Sequence, residues 1–384
     1  MKVLFVMHNT EQYSGANLAM LEVIENLSSD IEKIILFPNK TGSAINYANK
    51  KGYKTLSTYY NTLLLSQNDS GVKNMLKSLL NIIRRIKMVF SCHKIKPFLA
   101  DIDLVYTNTS TIKFGIMLSN ALRIPHIWHI REFGDKDHGL LYPFGKKRYY
   151  YKTSGKNKHI IAISKCLISD IEMYFDKKKI HLVYDDVSIN YINPDKEIIY
   201  GLNILVAGDI KEGKGQLVCV EAMKLLLENG IENAQMYIAG KTGDQNYYNK
   251  IADFVEKNNL GNNVHFLGRV SDMNSLRKKM NIGIVASKSE AFGRVTVEGM
   301  LSKMAMIGRN TGATVELIND GINGLLYDGS SEDLAVKIHE LSDINRRGCI
   351  VENAFKYAKE KFTSGLCSQK IENIIRSVGE ERNG

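Results

Sequence analysis

The chain has 384 residues, of which 44% are hydrophobic and 24% charged, a composition that excludes disordered and fibrous proteins and allows two domains. The net charge of +10 is uneven, because residues 1–180 contain 27 Lys and Arg against 14 Asp and Glu. Five cysteines without a C-x-x-C pair argue against a disulfide framework or a zinc site. The run MKVLFVMH lacks the apolar core of a signal peptide and no later run could span a membrane, so we expect a cytoplasmic protein.

Short apolar runs alternate with longer amphipathic stretches in the first half, which is the pattern of parallel α/β units. Five runs are predicted as strands, at residues 2–7, 33–37, 103–107, 126–130 and 159–164. The loop after the first strand leads through Gly15 into a helix, and a structural turn explains this glycine as well as a ligand does. His129 lies near the end of the fourth strand, where a histidine is either a hydrogen-bonded core residue or a ligand contact.

Residues 73–98 interleave cations with apolar residues at helical spacing, and these cations include Lys77, Arg84, Arg85 and Lys87. One interpretation is an ordinary helix with a solvated face. The other is peripheral attachment to an anionic membrane surface at the inner face of the plasma membrane. Nucleic-acid binding is not expected, because no recognised nucleic-acid motif accompanies the charge.

The second half repeats the strand rhythm, with strands predicted at residues 202–208, 235–240, 263–268, 282–287 and 304–308. Residues 186–200 are polar, contain Pro194 and show no sustained period, so they are interpreted as a linker. The predicted fold is α/β, with two doubly wound, Rossmann-like domains at residues 1–185 and 201–363 and a helix within 364–384. Open parallel sheets bind ligands at the carboxyl ends of their strands, so we expect a site where the two domains face each other across a cleft.

The segment SKSEAFGRVTVEGM, residues 287–300, places Glu290 and Glu298 on either side of a strand-to-helix turn. The backbone N–H groups of Phe292, Gly293 and Arg294 would form an anion site at the helix start. Each carboxylate can accept two vicinal sugar hydroxyls, so the segment fits a phosphate with a sugar on each side. The alternative is a solvated Glu290 and a Glu298 that the helix dipole favours.

Two further glycine turns follow neighbouring strands, and one of them, EGKGQ, supplies Lys214 as a cation for phosphate charge. With the turn NTGATVE and the run DGINGLLY, the E-x7-E element EAFGRVTVE resembles the retaining GT-B glycosyltransferases of family four, the bacterial group 1 enzymes. The resemblance covers most of the chain and is densest over residues 200–330. Asp209 departs from it, because many members have an arginine at this position.

The resemblance implies a role for each matching residue. Glu290 would contact the hydroxyls of the donor sugar, Glu298 would hold the ribose diol, and Lys214 would neutralise the diphosphate. His129 would be a sugar contact. The other residues implied in donor binding are Gly15, Arg269, Val270, Ala291, Phe292, Gly293 and Arg294.

The implied activity is transfer of a hexosyl or N-acetylhexosaminyl group from a nucleotide sugar, with a UDP-sugar favoured, to a lipid-linked or cell-surface glycan. Glu290, His129 and Lys214 are the expected catalytic residues, with Glu290 as a contact and not a nucleophile. No metal is expected, because the DID sequence at residues 101–103 precedes its strand. The helix within 364–384 should cross back to the first domain. Two alternatives stay open: a GT-B sugar-nucleotide epimerase, and a nucleotide-sugar-binding partner subunit without catalysis.

Overall fold

The computed structural model describes residues 1–12, 14–151, 155, 157–188, 192, 196, 201–363 and 365–380. The chain divides into two units, the first formed by Met1–Asp186 and Gly365–Gly384 and the second by Val187–Ser364. Most of the predicted linker, residues 186–200, lies outside the described residues.

A parallel sheet forms the centre of the first unit. The strands of this unit are β1 (Lys2–Val6), β2 (Glu32–Phe37), β3 (Lys54–Ser57), β4 (Leu65–Ser66), β5 (Leu104–Asn108), β6 (His126–Ile130), β7 (Leu140–Leu141), β8 (Lys158–Ala162) and β9 (Ile180–Leu182). Within the described residues, seven of them pair in the parallel order β3-β2-β1-β5-β6-β8-β9, and β4 pairs antiparallel with β7. The chain reverses its direction across the sheet between β1 and β5, which is the switch point at which such sheets bind ligands.

Helices cover both faces of this sheet. They are α1 (Gly15–Asn26), α2 (Ser43–Lys50), α3 (Gly71–Ile95), α4 (Phe114–Leu122), α5 (Asp135–His138), α6 (Lys146–Tyr151) and α7 (Lys165–Ile171). In β1, Val3 and Phe5 pack in one hydrophobic layer, whereas Leu4 and Val6 pack in the opposite one. Because both faces are buried, the strand has a continuous apolar sequence instead of an alternating one.

The second unit repeats this architecture with six parallel strands in its described part. They are β10 (Leu202–Ala207), β11 (Ala234–Ala239), β12 (Val264–Gly268), β13 (Ile282–Val285), β14 (Ala305–Arg309) and β15 (Leu325–Tyr327), in the order β12-β11-β10-β13-β14-β15. The helices are α8 (Gln216–Glu228), α9 (Gln245–Lys257), α10 (Met273–Lys278), α11 (Arg294–Leu301), α12 (Thr314–Leu317), α13 (Ser331–Glu340) and α14 (Ile344–Phe362). Its switch point lies between β10 and β13.

A last helix, α15 (Leu366–Glu380), belongs to the first unit although it follows the second in sequence. Its buried residues Ile371 and Ile375 join the same hydrophobic layer as Val3 and Phe5. At its outer side, Glu372 accepts a hydrogen bond from the backbone N–H of Ser28 at 2.9 Å. The amino-terminal part of the chain is therefore completed by a segment more than 300 positions away, since the separation of Ser28 and Glu372 is 344 residues.

The predicted fold class is confirmed, because both units are parallel α/β sheets covered by helices. All ten apolar runs predicted as strands are strands in the structure. The outer strands β3, β9 and β15, which have four, three and three residues, were not predicted from the sequence, and neither was the short pair β4 and β7.

Candidate functional site

Three loops meet at the carboxyl edge of the second sheet, around its switch point. They follow β10, β13 and β14 and span residues 208–215, 286–293 and 310–313. The backbone N–H of Lys288 donates to the carbonyl of Gly213 at 2.9 Å, and that of Ala313 donates to the carbonyl of Glu290 at 2.9 Å. The loop that carries Glu290 is therefore held from both sides by backbone hydrogen bonds.

Two glycines allow these loops to approach each other closely. Gly215 has a φ of +70°, and a Cβ at this position would lie 2.3 Å from the carbonyl oxygen of Ala286. Gly312 has a φ of +56°, and a Cβ there would lie 2.8 Å from the carbonyl oxygen of Glu290. A side chain is disfavoured at both positions by the left-handed backbone and by the contact. The placement of Glu290 thus depends on a glycine in the next loop.

The structure brings Lys214 and Glu290 together. The Nζ atom of Lys214 lies 2.5 Å from Oε1 of Glu290, and the two side chains are 29% and 17% exposed. A partly exposed ion pair contributes little to stability, so its contact is readily exchanged for another. The oxygens of a diphosphate can replace the carboxylate at Lys214, and sugar hydroxyls can replace the ammonium at Glu290.

Glu298 lies in a more buried environment than Glu290. It belongs to α11, is 8% exposed and forms a buried ion pair with Arg277 of α10. The Nε atom of Arg294 lies 3.8 Å from its second oxygen, Oε1. A buried carboxylate requires such partners, because an unpaired charge is costly to remove from water. Arg277 and Arg294 therefore fix the orientation of Glu298 in the second turn of α11.

The residues between the two glutamates combine buried side chains with the backbone at a helix start. Ala291 and Phe292 are 7% and 3% exposed, and the ring of Phe292 packs against that of Phe362 at a centroid distance of 5.7 Å. Gly293 precedes α11 with a φ of +96°. The first N–H groups of a helix have no partner within the helix and suit an anion. The buried side chains thus anchor the loop. Ala291 and Phe292 can contact a nucleotide sugar only through their backbone atoms.

Arg269 and Val270 follow β12, at the edge of the sheet, and are exposed and half-buried respectively. Since β11 and β10 lie between β12 and β13, these two residues are displaced along the carboxyl edge from the switch point. At the position of the missing family arginine, the carboxylate of Asp209 lies 3.6 Å from the Nζ atom of Lys241. In the described part of the chain, no group of three or more metal-ligating side chains is placed to hold a metal.

His129, in the first unit, is fully buried in β6. Its Nδ1 lies 2.7 Å from the hydroxyl of Tyr106 and 3.2 Å from Nη2 of Arg131. Burial, with a contribution from the Arg131 cation, lowers the pKa of the ring well below its usual value, so the ring is neutral. Because arginine only donates, Nδ1 is the acceptor and the proton lies on Nε2, which has no hydrogen-bond partner among the described residues.

Asn108 connects the loops at the switch point of the first unit. Its Nδ2 donates to the carbonyl of Ala16 at 2.9 Å, and its Oδ1 accepts from Nε of Arg131 at 2.8 Å. Arg131 also forms a buried ion pair with Asp185. A Cβ at Gly15 would meet nothing within 4 Å, and its φ is outside the left-handed region. Neither packing nor backbone geometry within this unit requires a glycine at position 15.

Two buried arrangements were not predicted from the sequence. The partnership of Arg277 with Glu298 joins separate helices and leaves no spacing signal. Glu132 accepts hydrogen bonds from the backbone N–H and the hydroxyl of Ser110 at 2.5 and 2.7 Å, and burial raises its pKa to about 7. The available signal for Glu132 was its place two positions after a fully buried strand, β6.

Residues 196–361 match the family model described as glycosyl transferases group 1, a range that contains Lys214, Glu290 and Glu298. The chain is 28% identical over 307 residues to the uncharacterized glycosyltransferase MJ1178 of Methanocaldococcus jannaschii. This alignment covers 77% of this chain and 82% of that protein. It is 26% identical over 182 residues to the lipopolysaccharide core biosynthesis mannosyltransferase LpcC of Rhizobium leguminosarum bv. viciae, covering 46% of this chain and 51% of that protein.

Among solved structures, Anabaena Alr3699/HepE in complex with UDP matches 98% of this chain and 100% of its own, with a TM-score of 0.79 and 20% identity. The same protein in complex with UDP-glucose matches with a TM-score of 0.77 and 19% identity. At this level of identity the likeness shows the fold, two parallel-sheet Rossmann-like units in the GT-B arrangement of strands. The family model and the curated relatives support a group 1 glycosyltransferase.

Proposed function

We propose that this protein is a retaining glycosyltransferase that transfers a hexosyl or N-acetylhexosaminyl group from a UDP-sugar to a lipid-linked or cell-surface glycan. The observation that carries the proposal is the Lys214–Glu290 pair at the switch point of the second sheet, beside the start of α11. This pair lies in the range that matches the group 1 model. The choice of UDP is supported by the HepE complexes, which share the fold.

In the proposed donor complex, Lys214 and Glu290 exchange each other for parts of the ligand, whereas Glu298 keeps Arg277 as its partner. Lys214 transfers from Glu290 to the diphosphate, and the N–H groups at the start of α11 contact the same anion. Glu290 then accepts hydroxyls of the donor sugar. Glu298, oriented by Arg277, accepts the ribose diol, and the backbone around Arg269 and Val270 contacts the base.

The proposed chemistry is front-face attack, in which the leaving diphosphate takes the proton of the acceptor hydroxyl. The protein contributes positioning and charge stabilisation, because positive charge develops on the sugar while negative charge develops on the leaving group. Lys214 and the α11 amides offset the charge of the leaving group without a metal ion. Glu290 is a hydroxyl acceptor in this scheme and forms no covalent bond.

His129 is assigned a sugar contact through the proton on its Nε2. Since its pKa is lowered by burial and by Arg131, it donates a hydrogen bond and does not act as a base at neutral pH. His129→Phe should lower turnover of a UDP-sugar while leaving UDP affinity unchanged. Full turnover in this variant would leave His129 as a hydrogen-bonded core residue beside Tyr106.

We further propose peripheral attachment of the first unit to an anionic membrane through α3. Ten large apolar side chains between Val72 and Phe90 are 46% to 70% exposed, which is a large apolar surface for one helix. The sequence of α3 contains cations and no Asp or Glu. Apolar area and positive charge on one helix suit the interface of an anionic bilayer. No helix in the described residues is long and apolar enough to cross a membrane.

The donor site is tested by thermal stabilisation with a panel of nucleotide sugars, since a ligand at 100 times its Kd adds about 2.7 kcal/mol to stability. UDP and one or more UDP-sugars should stabilise the protein. Glu298→Ala should weaken UDP binding by about 1.5–3 kcal/mol, because a charged acceptor is lost. Glu290→Ala should depress turnover and preserve UDP affinity.

NMR analysis of the product's anomeric configuration tests retention. No stabilisation by any nucleotide sugar, or equal UDP affinity in Glu298→Ala and wild type, would contradict the donor-site assignment. An inverted product would contradict the retaining mechanism alone.

A further inference from the structure

A cavity of about 360 Å³ lies in the first unit, between α3 and the segment 143–149. This volume falls within the range of small-molecule sites, about 300–1,000 Å³. Leu79 and Ile82 of α3 and Phe144 of the segment line it, and they are 58%, 58% and 78% exposed. Large apolar side chains thus remain open to solvent around a concave space.

Three cations also line this cavity, whereas none of its described lining residues is acidic: Arg85, Lys113 and Arg148. Lys113 is engaged, because its ammonium donates to the carbonyl of Tyr149 and lies 3.7 Å from the centre of the Tyr149 ring. Among the described residues, no carboxylate forms an ion pair with Arg85 or Arg148. Two guanidinium groups are therefore available to bind an anion at a mostly apolar cavity.

The walls are held by specific contacts. Asn81 is buried on α3 and donates from Nδ2 to the carbonyl of Leu63 at 2.9 Å, which joins the helix to another lining residue. Phe144 has a φ of +68°, an unfavourable conformation for a residue with a side chain. Its ring lies 4.9 Å from the guanidinium carbon of Arg148. The exposed ring of Phe144 and the guanidinium of Arg148 therefore lie side by side at the cavity.

One wall connects the cavity to the carboxyl edge of the first sheet. Tyr149 lines the cavity, and its hydroxyl donates to the carbonyl of Ser110 at 2.7 Å. Ser110 follows β5 and binds Glu132 through its N–H and hydroxyl. Tyr149 therefore joins the cavity lining to the edge at which open α/β sheets bind their ligands.

We propose that this cavity binds the apolar chain of an anionic lipid, whose phosphate or diphosphate head is held by Arg85 and Arg148. A neutral chain would leave the two arginines without an anionic partner, and a free phosphate would leave the apolar side chains of Leu79, Ile82 and Phe144 uncovered. An amphiphile with both features matches the apolar and the cationic parts of the lining. The lipid's role as the anchor of the acceptor rests on the proposed function, whereas its binding does not.

The test uses dodecyl phosphate as the probe on the full chain, below its micellar concentration. Calorimetry gives the affinity, and the fluorescence of Trp128 reports the location. Trp128 is the single tryptophan, and its ring centre lies 6.1 Å from that of Tyr149. We expect saturable binding, at least tenfold tighter than that of dodecyl maltoside, and no binding of inorganic phosphate at the same concentration.

Matched variants separate the cavity from the rest of α3. Leu79→Gln with Ile82→Gln should reduce affinity for dodecyl phosphate at least tenfold. Leu80→Gln with Ile83→Gln is the control, because these neighbours are similarly exposed, at 48% and 52%, and do not line the cavity.

A second pair of variants tests the head-group site. Each variant removes two positive charges, one from α3 and one from residues 143–149, but only the first removes cations that line the cavity. Arg85→Gln with Arg148→Gln should abolish the preference for dodecyl phosphate over dodecyl maltoside. Lys87→Gln with Lys147→Gln, neither of which lines the cavity, should preserve that preference.

Three results would overturn the inference: no saturable binding by the wild type, equal affinity for both amphiphiles, or equal losses in the lining and control variants. Equal losses would mean that the chain lies along α3 and not in the cavity. UDP binding, measured on the same samples, separates the two proposals. Binding of UDP without dodecyl phosphate removes the cavity inference alone, and the reverse removes the proposed donor site alone.

Discussion

Replacing Arg277 by Met should destabilise the second unit, because Glu298 would remain charged in a buried position without its main partner. The side chains of Arg277 and Glu298 are 4% and 11% exposed. Deleting one partner of such a pair costs about 3–5 kcal/mol, most of it from the charge left behind. Arg294, whose Nε lies 3.8 Å from Glu298, offsets part of this loss. We therefore expect a cost near the lower limit, about 3 kcal/mol.

Urea unfolding followed by far-UV circular dichroism measures this cost, while the fluorescence of Trp128 follows the first unit separately. Combining Arg277→Met with Glu298→Gln should be less destabilising than the sum of the two single changes by at least about 1 kcal/mol, since neither buried charge then remains. UDP affinity should fall in Arg277→Met, because Glu298 loses its orientation. A loss below about 1 kcal/mol with additive single effects would refute the reasoning.

Three further predictions concern other parts of the chain. Gly312→Ala should cost about 1–2 kcal/mol and lower turnover by moving Glu290, whereas Gly261→Ala, which meets no neighbour, should do neither; equal turnover in both variants would contradict this. Glu132→Gln should leave stability unchanged at pH 4 and raise it at pH 8 by up to about 3 kcal/mol. The reason is that burial raises the pKa of Glu132 from 4.5 to about 7, so the wild type loses stability as the pH rises from about 4.5 to about 7 and the buried acid must ionise. Identical pH profiles of stability in the variant and the wild type would contradict this prediction. Replacing three cations of α3 by Gln should reduce partitioning onto anionic vesicles roughly a hundredfold in sedimentation assays at low salt, and equal sedimentation would return α3 to a solvated face. These cations are Arg84, Arg85 and Lys87.

The central strands of both units could be predicted from the sequence because burial on both faces demands continuous apolar runs. The strand β1, with Leu4 and Phe5 fully buried, is an example. The outer strand β3 could not be found in this way, since Lys54 is exposed and Thr55 is half-buried. Its backbone is held as a strand by hydrogen bonding to β2 and not by an apolar sequence of its own. Spacing along the chain detects burial, but it does not detect edge pairing.

The candidate site was predictable only where its residues share one loop. Glu290 and Glu298 belong to one strand–turn–helix segment, so their spacing was visible. Lys214 was found through its own glycine turn, but its contact with Glu290 joins positions 76 residues apart. The partner of Glu298, Arg277, stands in a polar helix with Lys278 and Lys279 as neighbours, and nothing local distinguishes it from them. Burial alone selects it, and burial is a property of the folded unit.

The return of α15 to the first unit has a consequence for synthesis on the ribosome. Four buried residues of α15 complete a hydrophobic layer whose other buried members lie before residue 187: Cys367, Ile371, Ile375 and Val378. The whole second unit is translated between the two parts of this layer. Until α15 emerges, the surface of α1, β5 and β6 that it covers remains exposed to solvent and to chaperones. The second unit, by contrast, is contiguous in sequence and has its core complete once α14 has been made. We therefore expect the nascent chain to finish its second unit first, although translation begins with the other.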